Sequence, residues 1–341
     1  MYSTVPPVPG RAPDPGAGWG LRRAVRLAFP DPADLTHSAE HNARLSVYYA
    51  DMLRAYGQEL IPGALESGGQ SYAEMAEALI KLAVPEGESV DLLVVAHAIP
   101  DVTPGRATAT YLSHACPGTP MAFAIGDQGT AGAFTGLRLI RDYAASGGLR
   151  RALLLVVEQG DLPYDPSPLT DAPVVVPAGH SAVALLFGDS ADPAGAVASA
   201  GPVSTFGGVS RLDSVSVHPE SPGSALGDEV GALFAGATGP GASAATAILG
   251  SALADRVPAP SDVDQVRIAP AEQPYTGVWW ELAGALAEPA GHARRLLVAD
   301  FHPEMHYLCF AAIDVPDPGP SDGAVEGAGN SESAALPGRL R

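Results

Sequence analysis

The stretch GDQGTAGAFTGLRLIRDYAASGG, residues 126–148, puts Thr130 where turn-forming glycines give way to an apolar helical run. A helix N-terminus favours a nearby negative charge by roughly 0.3 to 1 kcal/mol, or about 2 kcal/mol in partly buried sites. For a cysteine, whose thiol titrates near 8.5, such a shift makes much of the group thiolate at neutral pH. An aliphatic hydroxyl starts several units higher, so Thr130 acts as a nucleophile only beside a positioned general base. Without one it packs, or contacts a ligand through its hydroxyl. Asp127 and Gln128 directly precede the helix. Asp127 suits capping, and both are placed to touch whatever the helix end holds.

Groups able to move protons lie elsewhere in the chain. His302 and His306 flank Glu304 in DFHPEMHY, two imidazoles with a carboxylate between them. His97, in VVAHAIPD with Asp101 four positions on, and His180, in AGHSAV, stand at the ends of apolar strand-like runs, and strand ends in α/β folds face ligand crevices. The H-x3-H spacing of His302 and His306 is not the helical i,i+4 pair that holds zinc, and no third ligand accompanies it, so no metal site is expected. Cys116, in SHACPGTP, and Cys309, inside the apolar run HYLCFAAIDV, have no activating surroundings and read as inert thiols. Trp279 and Trp280 read as core, with a tunnel wall as the alternative.

The elements that must position these groups alternate between strand and helix. LRRAVRLAFP alternates like a strand, and SAEHNARLSVYYADMLRAYGQEL has helical spacing. SYAEMAEALIKLA is a helix with Ser71 as N-cap and Glu74 completing a capping-box pattern. VDLLVVAHAI, PMAFAIG and RRALLLVVEQG are continuous apolar runs suited to strands buried on both faces, and GHSAVALLFGD follows as another strand after the Pro-rich loop 161–178. The result is an α/β layered architecture. In the second half, residues 223–257 mix helical spacing with glycines. VDQVRIAP reads as a strand, GVWWELAGALAEP as a helix ended by Pro289, and ARRLLVADF with HYLCFAAIDV as two strands joined at HPEM.

Composition narrows the function classes. With 38 acidic against 19 basic residues the formal charge is −19, a field that repels nucleic acid and anionic lipid, so neither is expected as a partner. No run of about 18 apolar residues is present, which excludes a helical membrane span. Two cysteines are too few for a disulfide framework and fit a reducing cytoplasm. A single lysine, Lys81, amid abundant Ala, Gly, Pro and Arg fits the coding bias of a high-GC bacterium. The Pro- and Gly-rich residues 1–19 lack an apolar core and read as a flexible leader rather than a secretory signal. Residues 316–341 have too few large apolar side chains to offset their ordering entropy and read as a disordered tail.

Taken together, VDLLVVAHAIPDVTPGRATATYLS, AFAIGDQGTAGAFTGLRLIRDYAASGGLRRALLLVVEQ, GHSAVALLFG and LLVADFHPEMHYLCFAAI resemble the β-ketoacyl-acyl-carrier-protein synthase III family of the thiolase superfamily. The resemblance runs over roughly residues 20 to 315. It implies a five-layered αβαβα fold of two pseudo-symmetric halves, here 20–190 and a shortened 191–315. It also implies dimers, and condensation or transfer of acyl groups carried on acyl carrier protein or coenzyme A, with no further cofactor. It puts Thr130 at the position of the family's nucleophilic cysteine, Ala271 in the slot of its histidine, Tyr275 in that of its asparagine, and His302, Pro303 and Glu304 in its glycine-rich oxyanion turn. That turn lies over the cavity in the family, which brings the imidazoles of His302 and His306 within reach of Thr130.

Two functions follow. One is an acyltransferase or condensing enzyme of bacterial polyketide- or fatty-acid-type specialised metabolism that works without a cysteine. The alternative is a non-catalytic partner subunit, comparable to a chain-length factor, paired with an active ketosynthase; the first forms homodimers, the second a heterodimer.

Overall fold

The runs LLVVA and RALLLVVE become strands in which every residue is buried, and the rest of the first half is assembled around them. The computed structural model describes residues 19–31, 38–65, 70–103, 107–166, 175–189, 209–216, 223–238, 244–289 and 292–316. Its first half comprises β1 (Trp19–Ala28), α1 (Ala39–Arg54), α2 (Tyr72–Ala83), β2 (Leu92–Ala96), α3 (Thr108–Ala115), β3 (Met121–Ile125), α4 (Ala131–Ser146), β4 (Arg151–Glu158) and β5 (Ser181–Asp189). These strands form one sheet in the order β1-β5-β4-β2-β3, with β2 parallel to β3 and β4, and β5 antiparallel to β4 and β1.

The second half repeats that plan with β6 (Val209–Ser216), α5 (Gly223–Ala237), β7 (Ala244–Leu249), α6 (Ser251–Ala254), β8 (Gln265–Ile268), α7 (Gly277–Ala287), β9 (Arg294–His302) and β10 (Tyr307–Val315). Its sheet order is β6-β10-β9-β7-β8, with the same parallel and antiparallel pairings. Each strand of the first sheet therefore has a counterpart in the second, and α4 has its counterpart in α7.

Strand alternation sorts the core into layers. Leu154 and Val156 of β4 join Phe134, Leu137 and Ile140 of α4 in a central layer. Trp279 and Leu282 of α7, and Val298 of β9, complete that layer. Leu153, Leu155 and Val157 point the other way, against Met75 and Leu79 of α2 and Leu112 of α3. On the far side Leu297 and Phe310 meet Leu233 and Phe234 of α5 and Leu253 of α6. The stack is α/β/α/β/α, with Phe134 against Trp279 at 4.8 Å between ring centroids at its centre. Gly136 lets α4 sit close on the first sheet, since a Cβ there would come within 2.7 Å of Leu154 Cδ1.

Several local expectations change. Among the described residues β3 is the edge of its sheet, paired to β2 alone, and Met121 is 47% exposed; a short apolar run does not distinguish an edge strand from a central one. Residues 223–257 divide into α5, β7 and α6, because glycines end each apolar piece before helical spacing can continue. Neither α3 nor β6 is among the elements expected from the sequence. Ser71 caps α2 as expected: its Oγ accepts the Glu74 N–H at 3.2 Å and donates to the Glu74 carboxylate at 2.7 Å. Trp279 is fully buried core, while Trp280 lies at the margin under the Arg26 guanidinium, 4.8 Å from the ring centroid. Of the leader expected over residues 1–19, Trp19 opens β1 and the rest lies outside the described residues, as does all of the tail expected over residues 316–341 but its first residue. No helix among the described residues is long and apolar enough to cross a membrane.

Candidate active site

Where the two halves meet, a cavity of about 880 Å³ opens at the N-terminus of α4. Both halves furnish its wall, including Asp127, Gly129 and Thr130 from the α4 turn, Tyr275 and Val278 from the start of α7, and residues 300–305 from the end of β9 and the turn after it. Its volume is that of an ordinary small-molecule site.

Thr130 is the N-cap residue of α4, 8% exposed, yet its hydroxyl caps no backbone N–H and its Oγ1 has no hydrogen-bond partner among the described residues. A buried hydroxyl without a partner costs free energy unless something else satisfies it; Thr130 lines the cavity, while its Oγ1 itself is buried. Gly129 before it has φ +50°, a left-handed conformation that suits glycine. The His302 imidazole occupies the space a side chain would take: a Cβ on Gly129 would lie 1.8 Å from both Cδ2 and Nε2 of the ring. His302 therefore rests directly on the start of α4. Its Nδ1 accepts the Met305 N–H at 3.3 Å, which leaves the proton of the neutral ring on Nε2. Burial lowers the imidazole's pKa, while the charge of Glu304 pulls it back up.

Tyr275 is held at the wall by a buried carboxylate in the other half. Glu158, at the end of β4, accepts the N–H groups of Tyr275 (3.0 Å) and Thr276 (3.1 Å) on Oε2. On Oε1 it accepts the hydroxyls of Thr276 (2.5 Å) and Ser181 (2.7 Å). An acid thus caps the N-terminus of α7 across the junction of the halves. The Tyr275 hydroxyl donates to the Val175 carbonyl at 2.9 Å, and burial pushes its pKa up to about 12, so it stays a neutral phenol.

Of the residues singled out in the sequence, Thr130, Asp127, Tyr275, His302 and Glu304 line the cavity, as does Ala271. Four others do not. Gln128 turns its Oε1 to the Thr135 hydroxyl at 2.6 Å. His97 sets Nδ1 3.1 Å from the Ile99 carbonyl and packs beside the Tyr72 ring. His180 is held between the Gly160 N–H and the Asp161 carboxylate. His306 lies in the β9–β10 turn at φ 52°. Three strand ends of the second sheet reach the cavity, at Gly250–Ala252 after β7, at Ala269 and Ala271 after β8, and at Asp300–His302 closing β9, and of these only the last carries a histidine. Both thiols are in the core, away from the cavity, and burial pushes each up to about 12, which keeps them protonated. Among the described residues no cluster of potential ligands could hold a metal ion.

One wall residue was missed. Asp300, in β9, is 3% exposed and lines the cavity. Among the described residues its carboxyl accepts one hydrogen bond, from the Phe301 N–H at 2.9 Å. Burial raises its pKa to about 7, with that N–H pulling the other way. The sequence signal was a lone acid inside the apolar run LLVADF, since buried carboxylates without a charge partner are rare outside functional sites.

No protein-family model matches the chain, and no curated protein matches it. Solved structures match it in fold. AbyA1, a tetronic acid condensing enzyme, superposes with a TM-score of 0.55 at 18% identity, over 86% of this chain and 99% of its own. The acyltransferase ChlB3 gives 0.53 at 16% identity, over 88% and 98%. The 3-oxoacyl-(acyl carrier protein) synthase III of Xanthomonas oryzae gives 0.50 at 13% identity, over 87% and 98%. The chain thus has the thiolase-like fold of the ketoacyl synthase III type, across nearly the whole length of these proteins.

Proposed function

We propose that the protein is an acyltransferase that takes an acyl group from an acyl-carrier-protein or coenzyme A thioester and passes it directly to an acceptor, without an acyl-cysteine intermediate. The observation that carries this reading is the cavity itself: it meets a helix N-terminus where the buried Thr130 hydroxyl has no partner among the described residues, while both thiols lie in the core. In this reading the acyl chain lies along Ile99, Val278 and Phe301. The thioester carbonyl oxygen takes the Thr130 hydroxyl and the Nε2–H of His302, the latter held by the Met305 N–H before the substrate arrives. Glu304 sets the protonation balance of that imidazole, and Tyr275 and Asp127 shape the acceptor side. Positioning two reactants in one site supplies much of the acceleration that a covalent step otherwise gives.

The test is incubation of the purified protein with acetyl-, hexanoyl- and octanoyl-coenzyme A, and with the same acyl groups on a carrier protein, plus amine, alcohol or malonyl acceptors. Acceptor-dependent thiol release with no acylated protein by mass spectrometry is expected. Absence of turnover across the panel, or an acyl group covalently held on the chain, contradicts the reading. The burial of both thiols equally favours a second reading, a non-catalytic subunit that shapes the acyl tunnel of an active ketosynthase. Stable co-purification with such a synthase, together with no turnover of its own, distinguishes it.

A further inference from the structure

Direct transfer needs a base to take the acceptor's proton, and the imidazole at the start of α4 does not offer one. With Nδ1 of His302 engaged by the Met305 N–H, the neutral ring presents a donor to the cavity rather than a lone pair. Tyr275 spends its hydroxyl proton on the Val175 carbonyl, and Thr130 carries only an aliphatic hydroxyl. One further buried wall residue can accept a proton.

Asp300 sits deep in the wall, in the half opposite Thr130. Its carboxylate is accommodated because residue 250 is glycine: a Cβ there would lie 1.9 Å from Oδ1 and 2.6 Å from Cγ. Gly250 has φ −61° and ψ 145°, a conformation open to any residue, so it is the carboxylate's space and not the backbone that calls for glycine. The titratable neighbours leave the carboxyl without a fixed counter-charge. Opposite it on β10 is Cys309, a neutral thiol on which Arg138 of α4 also acts. Around the cavity stand His302, Glu304 and Tyr275, with Asp127, Asp255 and Arg256 also on its wall. Among the described residues no ion pair forms to Asp300.

We propose that Asp300 is the general base and acid of this site, taking the proton from the acceptor and returning it to the leaving thiol. This rests on the acyltransferase reading above. The acceptor's X–H bond gives its proton to the Asp300 carboxylate as X attacks the thioester carbonyl carbon. The oxyanion that forms faces the Thr130 hydroxyl and His302 Nε2–H. It collapses with cleavage of the C–S bond, and the departing thiolate takes the proton back from the Asp300 carboxyl. The sum is acyl thioester plus X–H giving acyl-X plus thiol, with the carboxylate restored. A carboxyl titrating near neutrality is suited to both halves of the cycle.

The experiment measures acyl transfer from octanoyl-coenzyme A to hydroxylamine and to butanol, followed by loss of thioester absorbance, for the wild type, Asp300→Asn and Gly250→Ala. The expected result is a kcat loss of about 100-fold or more in Asp300→Asn with KM for the thioester little changed, the magnitude ordinary for a lost acid–base group. The wild-type pH profile should rise through neutrality, and Asp300→Asn should flatten that limb. Gly250→Ala, which keeps the charge but displaces the carboxylate, should also lower kcat. Wild-type turnover with Asp300→Asn within about threefold, or with the neutral limb intact, overturns the base and leaves the acyltransferase reading standing. No wild-type turnover overturns both. Should Asp300→Asn fail to fold, Gly250→Ala decides: full activity there overturns the proposal.

Discussion

The imidazole of His302 and the backbone of Gly129 share one space, so that each is possible only because of the other's size and conformation. Gly129→Ala would meet two obstacles, a left-handed backbone that costs about 1–2 kcal/mol for a residue with a Cβ, and the ring atoms already there. A lower urea midpoint and a large loss of acyl transfer are expected. The double variant Gly129→Ala/His302→Ala should recover part of the stability, since one of the two obstacles is gone, but none of the activity. Urea unfolding of the four proteins in this cycle gives the coupling directly; simple additivity would show that the two groups do not compete for space.

Asp300 ties the site to stability with a definite sign. Its folded-state pKa, about 7, stands above the ordinary value of 3.8. The unfolded chain therefore releases this proton at lower pH than the folded one does. Stability contributed by the protonated form is complete below about pH 4, declines as pH rises, and is lost above about pH 7. Asp300→Asn cannot ionise, so its stability relative to the wild type should grow between pH 5 and pH 8, by an amount on the order of 1 kcal/mol or more. Thermal unfolding at the two pH values reads this. An unchanged difference would mean that the carboxyl ionises equally in both states.

The sequence was informative where physics is local and less so where it is not. The apolar runs around Val94 and Leu154 announce buried strands, and Ser71 with Glu74 announces a cap, because each signal sits within a few residues. Met121 shows the limit: an edge strand and a central one carry the same short apolar run, and only the order of strands in the sheet tells them apart. In the site, Thr130 and His302 could be singled out by type and spacing, yet the engagement of His302 Nδ1 depends on how the β9–β10 turn closes. Asp300 was legible as an acid in an apolar strand, but its access to the cavity depends on Gly250, fifty positions away, which no local pattern reveals. His97 and His180 show the converse. They stand at strand ends as expected, and their rings are taken up by nearby groups of their own half.

The thiols give a prediction that bears on chemistry rather than folding. Cys116 and Cys309 are both pushed up to about 12 by burial, so almost no thiolate exists at neutral pH. Iodoacetamide should leave the native protein unmodified and fully active, with both residues alkylated only after denaturation. A Cys116→Ala/Cys309→Ala variant should retain its turnover. Rapid native alkylation coupled to inactivation would place a thiol in the reaction after all.

Glu158 offers a sharper discrimination, because its two oxygens face different kinds of group. Oε2 accepts two backbone N–H groups, of Tyr275 and Thr276, whereas Oε1 faces two hydroxyls, of Thr276 and Ser181. A hydroxyl can turn from donor to acceptor; a backbone N–H cannot. Glu158→Gln can therefore keep its carbonyl oxygen toward the N–H groups and offer its amide to the hydroxyls, and should cost no more than about 1 kcal/mol. Glu158→Ala leaves two buried N–H groups and two hydroxyls without their common acceptor and should cost about 3 kcal/mol or more. Since Tyr275 stands at the cavity wall on the same backbone, the alanine variant should also weaken substrate binding, visible as a raised KM, while the glutamine variant should not. Equal destabilisation by Gln and Ala would mean that the negative charge itself, rather than the pattern of acceptors, holds the start of α7 in place.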